Sequence, residues 1–253
     1  LILGMVLAVL GGSLGAQTII RMQFFEAAPH VYINKQSGKV TGATYELLEN
    51  YIGPAIGARF QWEGVPIPRQ MTNYRSGKSI ASAWLAYTPE RGKVENLVFT
   101  SRVLFPDAPC LVVMKSNPLQ RVRSFEDISR LRIGYTSGAF LSPFMRDPRI
   151  TFDHVPGSDF YPANFKKLKQ GRIDAIYAGS SAILLYFMRT MHMEDEVRLV
   201  YLPEPKTQHF VTFSANLKAF GAKYDQAYDR LDVPRLYLKL LSKYIDINKL
   251  PPH

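Results

Sequence analysis

Phe105-Pro106-Asp107-Ala108-Pro109 breaks an otherwise regular alternation of strand-like and helix-like segments. Two prolines this close exclude both a helix interior and a central strand. The chain therefore reads as crossing here from one folded unit to another. Upstream, Thr18–Phe25 has the β-branched and aromatic content of a strand. Thr44–Ile56 follows with Tyr45, Leu47, Leu48, Tyr51 and Ile52 at helical spacing and Thr44 as a candidate N-cap. Arg59–Trp62 is a second strand, Arg69–Tyr74 a short helix ending near Gly77, and Ile80–Leu85 a third strand. The order β-α-β-α-β predicts a mostly parallel sheet with helices on its faces.

Downstream of the break the cycle restarts. Leu111–Met114 is an apolar strand, and Ser124–Ile128 a short capped helix. Leu131–Tyr135 is a strand followed by the turn Thr136-Ser137-Gly138 and a helix from Ala139. A strand at Ile150–His154, a helix at Pro162–Gln170, a strand at Ile173–Tyr177, a helix at Ser181–His192 and a strand at Val197–Tyr201 complete this unit. Leu202-Pro203-Glu204-Pro205 is a second proline-bearing crossing, after which Phe210–Ser214 is extended and two helical patterns fill Lys218–Ile245. The expected fold class is α/β: two Rossmann-like lobes joined by a two-segment hinge, with a cleft between them. Residues 17–106 with 209–253 form the first lobe in this reading, and residues 107–208 the second.

The 253 residues, 47% hydrophobic and 21% charged, suffice for two modest cores. The formal net charge of +10 suits an anionic ligand, an anionic membrane surface or nucleic acid, or serves solubility alone. The densest basic runs, Lys166-Lys167-Leu168-Lys169 and Gln120-Arg121-Val122-Arg123, lack the interleaved aromatics of a single-strand groove, so no nucleic-acid partner is expected. The lone Cys110 permits neither an intrachain disulfide nor a cysteine zinc site, and its apolar neighbours mark it as a small buried hydrophobe. His30, His154, His192, His209 and His253 show no metal-ligand spacing. No cofactor or metal is expected.

Leu1–Leu10 is almost wholly apolar and is followed by the small residues Gly11-Gly12-Ser13-Leu14-Gly15-Ala16. This is the pattern of a secretory signal peptide, residues 1–16, clipped at its start. No other run of about 18 apolar residues occurs, so export to the periplasm as a soluble protein is the expectation.

The order of several short motifs resembles the family 3 periplasmic solute-binding proteins of amino-acid ABC transporters. They are Ala28-Pro29-His30-Val31-Tyr32, Gly38-Lys39-Val40-Thr41-Gly42 with Tyr45–Leu48, Tyr87-Thr88-Pro89-Glu90-Arg91 with Val98-Phe99-Thr100, Ser124–Ile128 with Leu131–Gly134, and Gly171-Arg172-Ile173-Asp174-Ala175. The resemblance implies a type II periplasmic-binding-protein fold. It also implies a non-enzymatic role, in which the protein captures a small carboxylate-bearing solute by lobe closure and presents it to a membrane permease, as a monomer. Arg91 would hold the ligand carboxylate with its planar fork of donors, and Ala86 would lend a backbone N–H.

Two departures from the family pattern bear on the ligand. Gly179, followed by Ser180, stands where an acidic partner for a ligand ammonium is usual. Trp84 stands where small hydroxyl residues are usual. Glu26 would have to replace the missing anion, or Trp84 act by cation–π contact, or the ligand is not a standard amino acid. Arg69, in Pro66-Ile67-Pro68-Arg69, resembles an element approaching the cleft in one branch of the family. Ser137 and Gly138 would offer N–H groups to an anion at a helix start. Phe140, Tyr161 and Tyr177 are further cleft candidates. Two rival functions are a cyclic-carboxylate dehydratase on the same fold, with Glu26 as base, and a ligand-binding sensory module.

Overall fold

The computed structural model describes residues 17–136, 139–155 and 160–251. The expected signal peptide, residues 1–16, lies outside them, as do Ser137 and Gly138. Two mixed sheets form two lobes. In the first, strands run in the order Ala58–Gly64, Thr18–Phe24, Ala81–Ala86, Thr207–Ser214, Leu97–Phe99, with Phe105–Asp107 also paired to Thr207–Ser214. In the second the order is Thr151–Val155, Arg132–Thr136, Ala175–Ala178, Cys110–Met114, Val197–Tyr201. Each sheet begins with three mutually parallel strands and continues with antiparallel ones. Ala81–Ala86 and Ala175–Ala178 are buried at every position. This explains why they read as continuous apolar runs without alternation: helices cover both faces.

The two crossings between the sheets lie side by side. Phe105–Asp107 leaves the first sheet and Cys110–Met114 enters the second, while Val197–Tyr201 leaves the second and Thr207–Ser214 re-enters the first. Asp107 and Thr207 are paired in register, so the crossings form a two-stranded antiparallel hinge. Asp107 is 1% exposed. Its carboxylate accepts hydrogen bonds from the Ser180 and Ser181 hydroxyls at 2.6 and 2.5 Å and from the Ala182 and Ala108 N–H groups at 2.9 and 2.7 Å. The hinge is thereby tied to the N-terminus of helix Ser181–Thr190, where a negative charge also faces the favourable end of the helix dipole.

Two local expectations fail for identifiable reasons. Thr44 is not an N-cap. The helical run is Ala43–Leu47, a π-helical stretch Leu48–Ile52 and Gly53–Ile56. Gly42 precedes it at φ 119°, and the Thr44 hydroxyl instead meets the Tyr237 hydroxyl at 2.8 Å. A Cβ on Gly42 would collide with the His30 backbone carbonyl, so a glycine is what lets this helix start against the loop carrying His30. No helix begins at Ala139. Among the described residues, only the single 3₁₀ turn Phe144–Arg146 follows. Pro143 and Pro148 each lack an N–H and push the preceding residue out of helical conformation, which overrides the helix-like Ala139-Phe140-Leu141.

Candidate functional site

A cavity of about 490 Å³ opens between the two sheets, within the usual range for small-molecule sites. Its walls are built where parallel strands end. Phe24, Phe25 and Glu26 follow the strand Thr18–Phe24, Gly64–Pro68 follow Ala58–Gly64, and Ala86 closes Ala81–Ala86. From the second sheet come Tyr135 and the run Ala178–Ser180, joined by Ala139, Phe140, Phe160, Tyr161, Tyr177 and Ile183. Ligands of open α/β sheets collect at the carboxyl ends of the strands, and here both lobes direct those ends at the same space.

Arg91 is the only Arg or Lys among the described lining residues. Thr88, Pro89 and Gly92 dictate its position. The Thr88 hydroxyl caps the short helix Pro89–Gly92 by accepting the Arg91 N–H at 3.1 Å, and proline occupies the first turn, where it has no N–H to waste. The guanidinium then folds back, donating from Nη1 to the Ala86 carbonyl at 2.8 Å. Burial draws Arg91 below its usual range to about 10, and nearby Arg146 adds to the drop against Tyr135 and Glu90. It stays cationic at neutral pH. Among the described residues no carboxylate forms an ion pair with it, and it lines the cavity. Ala86 lines the cavity, and its carbonyl anchors Arg91.

Trp84 reaches the cavity by its rim and not by its face. His30 stacks on one side of the indole at 3.7 Å and 11°, and His209 stacks at 4.1 Å and 15°. Trp84 is 1% exposed. Cation–π contact needs an open face, so the cation–π role considered for Trp84 has no geometry to support it. Both histidines are held neutral by burial. His209 is drawn down to about 3, with Arg91 adding to the effect, and His30 falls well below its usual range, with His209 contributing. His30 Nδ1 meets the Tyr237 hydroxyl at 2.7 Å and Nε2 meets the Ser180 hydroxyl at 3.3 Å. Ser180 is thus engaged on both sides, by His30 and Asp107, in a buried chain that runs from one lobe to the other.

Gly179 lines the cavity, and a Cβ there would lie 2.8 Å from Phe140 Cδ1. Phe140 fills the volume a side chain at 179 would need. Glu26 is on the lining and accepts the Ile33 N–H, 3.3 Å from either carboxylate oxygen. Tyr161 and Tyr177 are largely buried and contribute to the wall, and the Tyr177 hydroxyl accepts the Ser142 N–H at 2.9 Å. Arg69 lies on the exposed side of helix Ile67–Arg75 and is not among the lining residues. Ser137 and Gly138 lie outside the described residues. Several wall residues escape sequence reasoning. Phe24 and Phe25 were recoverable, because they sit at the carboxyl end of the first predicted strand. His209 carried no local signal.

A second space of about 380 Å³ adjoins the first and shares Arg91 and Phe140 with it. Its rim carries an ion pair between the lobes, Arg146 Nη1 to Glu90 Oε1 at 3.2 Å.

The arrangement of sheets and cleft matches solved structures along most of the chain. It is similar to an ancestral arginine-binding protein bound to arginine (TM-score 0.71, 18% identity, 91% of this chain and 100% of that one). The fold is that of the type II periplasmic binding proteins. The same fold relates it to the amino acid ABC transporter substrate-binding protein AbpA of Streptococcus pneumoniae bound to L-arginine (TM-score 0.72, 16% identity, 92% and 97% covered). The GluR0 ligand-binding core of Nostoc punctiforme in complex with L-glutamate is a third example (TM-score 0.72, 18% identity, 89% and 98% covered). No protein-family model matches the sequence, and no curated protein matches it. Among the described residues no helix is long and apolar enough to cross a membrane.

Proposed function

We propose that this chain is a solute-binding protein that captures a small carboxylate-bearing molecule in the periplasm and delivers it to an ABC-type permease. Residues 107–208 would close against 17–106 with 209–253. The observation that carries the reading is Arg91: a part-buried guanidinium on the cavity wall, oriented by Ala86 and Thr88, with no carboxylate ion-paired to it among the described residues. A buried cation left unpaired is costly. An anionic ligand removes that cost, and a planar carboxylate fits the fork of donors. Three structures that share the fold hold arginine or L-glutamate, which supports a binding role over a catalytic one.

The test is thermal unfolding with and without a panel of small carboxylates and their uncharged amides. A bound carboxylate present at about 100 times its Kd stabilises the fold by about 2.7 kcal/mol. Its amide should give no shift. Equal shifts from both members of a pair, or none from any carboxylate, would remove the reading.

A further inference from the structure

We infer that the larger cavity is shaped for an aromatic carboxylate that carries no ammonium group. This rests on the carboxylate reading above and narrows it. Three observations carry it, and each concerns a place where an ammonium group would need a partner.

The first is Phe140. It occupies the space beside Gly179 so fully that even a methyl group at 179 would press against the ring at 2.8 Å. A side chain at 179 would need the Phe140 ring to move. The second is Glu26, the only carboxylate on the described lining, which is engaged within the protein: it accepts the Ile33 N–H at 3.3 Å and makes a further interaction besides. The third is Trp84. Both of its faces are covered by neutral imidazoles. Only its rim remains for the ligand, and the rim of an aromatic ring carries partial positive charge. That rim repels an ammonium and favours the face of another ring. A buried ammonium without a partner is expensive, so the described part of the wall disfavours it.

The remaining wall says what the body of the ligand is. Phe24 and Phe25 from the first lobe face a space also lined by Phe140, Phe160, Tyr161 and Tyr177 from the second. Rings surrounding a ligand ring can adopt the offset and edge-to-face contacts that aromatic pairs prefer, beyond simple burial of apolar area. Arg91 fixes one end and the rings hold the other.

Calorimetric titration of the full chain tests this with phenylacetate, phenylacetamide, hexanoate, L-phenylalanine and L-arginine. Phenylacetate should bind at least about tenfold more tightly than L-phenylalanine, a gap that one unpaired buried polar group suffices to produce, and about two- to tenfold more tightly than hexanoate, the worth of an aromatic pair. If L-phenylalanine, L-arginine or hexanoate binds as tightly as phenylacetate or more so, the inference falls while the carboxylate reading stands. If phenylacetamide equals phenylacetate, or none of the five binds, both fall. The double variant Phe140→Ala with Gly179→Asp frees the space and adds an anion. It should shift the preference toward L-phenylalanine by at least about tenfold. An unchanged ratio would remove Phe140 and Gly179 as determinants.

Discussion

The His30 imidazole lies parallel to the Trp84 indole, with centroids 3.7 Å apart and planes 11° apart. The contact joins the loop after the first strand to the centre of the first sheet. Through Nε2 the same histidine reaches Ser180 of the second lobe. His30 therefore supports the cavity floor and links the lobes at once. Replacing it with Ala leaves a void beside Trp84 and removes partners from the buried Tyr237 and Ser180 hydroxyls. A loss of about 2–4 kcal/mol is expected from the cavity and the lost hydrogen bonds together, to be read from urea unfolding. A change within experimental error would show that the stack contributes nothing.

His209 gives the fold a pH dependence of definite sign. Its folded pKa is drawn down to about 3, chiefly by burial, against an ordinary value of 6.5. The unfolded chain takes up this proton first as pH falls. Its stabilising contribution is thus complete above about pH 6.5 and is lost progressively as pH drops toward about 3. The total is on the order of 5 kcal/mol, and His30 adds a contribution of the same sign. Urea unfolding between about pH 7 and 4 should show the decline, and His209→Phe should flatten it in part. An identical slope in the variant would assign the acid sensitivity to other groups.

Much of this fold is visible in the sequence, because its central strands are buried on both faces and read as apolar runs such as Leu111–Met114. The proline-bearing segments mark the crossings for the same local reason: proline is costly in the interior of a helix or a central strand. The failures come from contacts between distant parts of the chain. Trp84 reads as an aromatic face lining the cleft until His30 and His209, from opposite ends of the sequence, cover both of its sides. Gly179 reads as a missing acid, and only the fold shows Phe140 in its place. Ala139 looks like a helix start because apolar spacing outweighs, in a short window, prolines that lie several residues ahead.

The ion pair between Arg146 and Glu90 joins the lobes at the cleft rim. Both side chains are exposed, so water and salt screen them. Glu90→Gln should raise the ligand dissociation rate by less than about fivefold, and the difference should vanish at high salt. Stopped-flow displacement at two ionic strengths would check this. A larger, salt-independent effect would mean that Glu90 acts on Arg91 and not on closure.

The central claim is that Arg91 is the carboxylate anchor of the cleft. The most direct measurement is the calorimetric Kd of phenylacetate for the wild-type chain and for Arg91→Ala, with urea unfolding confirming that the variant is folded. The account predicts a loss of at least about tenfold, the worth of a charge-assisted hydrogen bond pair. A Kd unchanged by the substitution would contradict it.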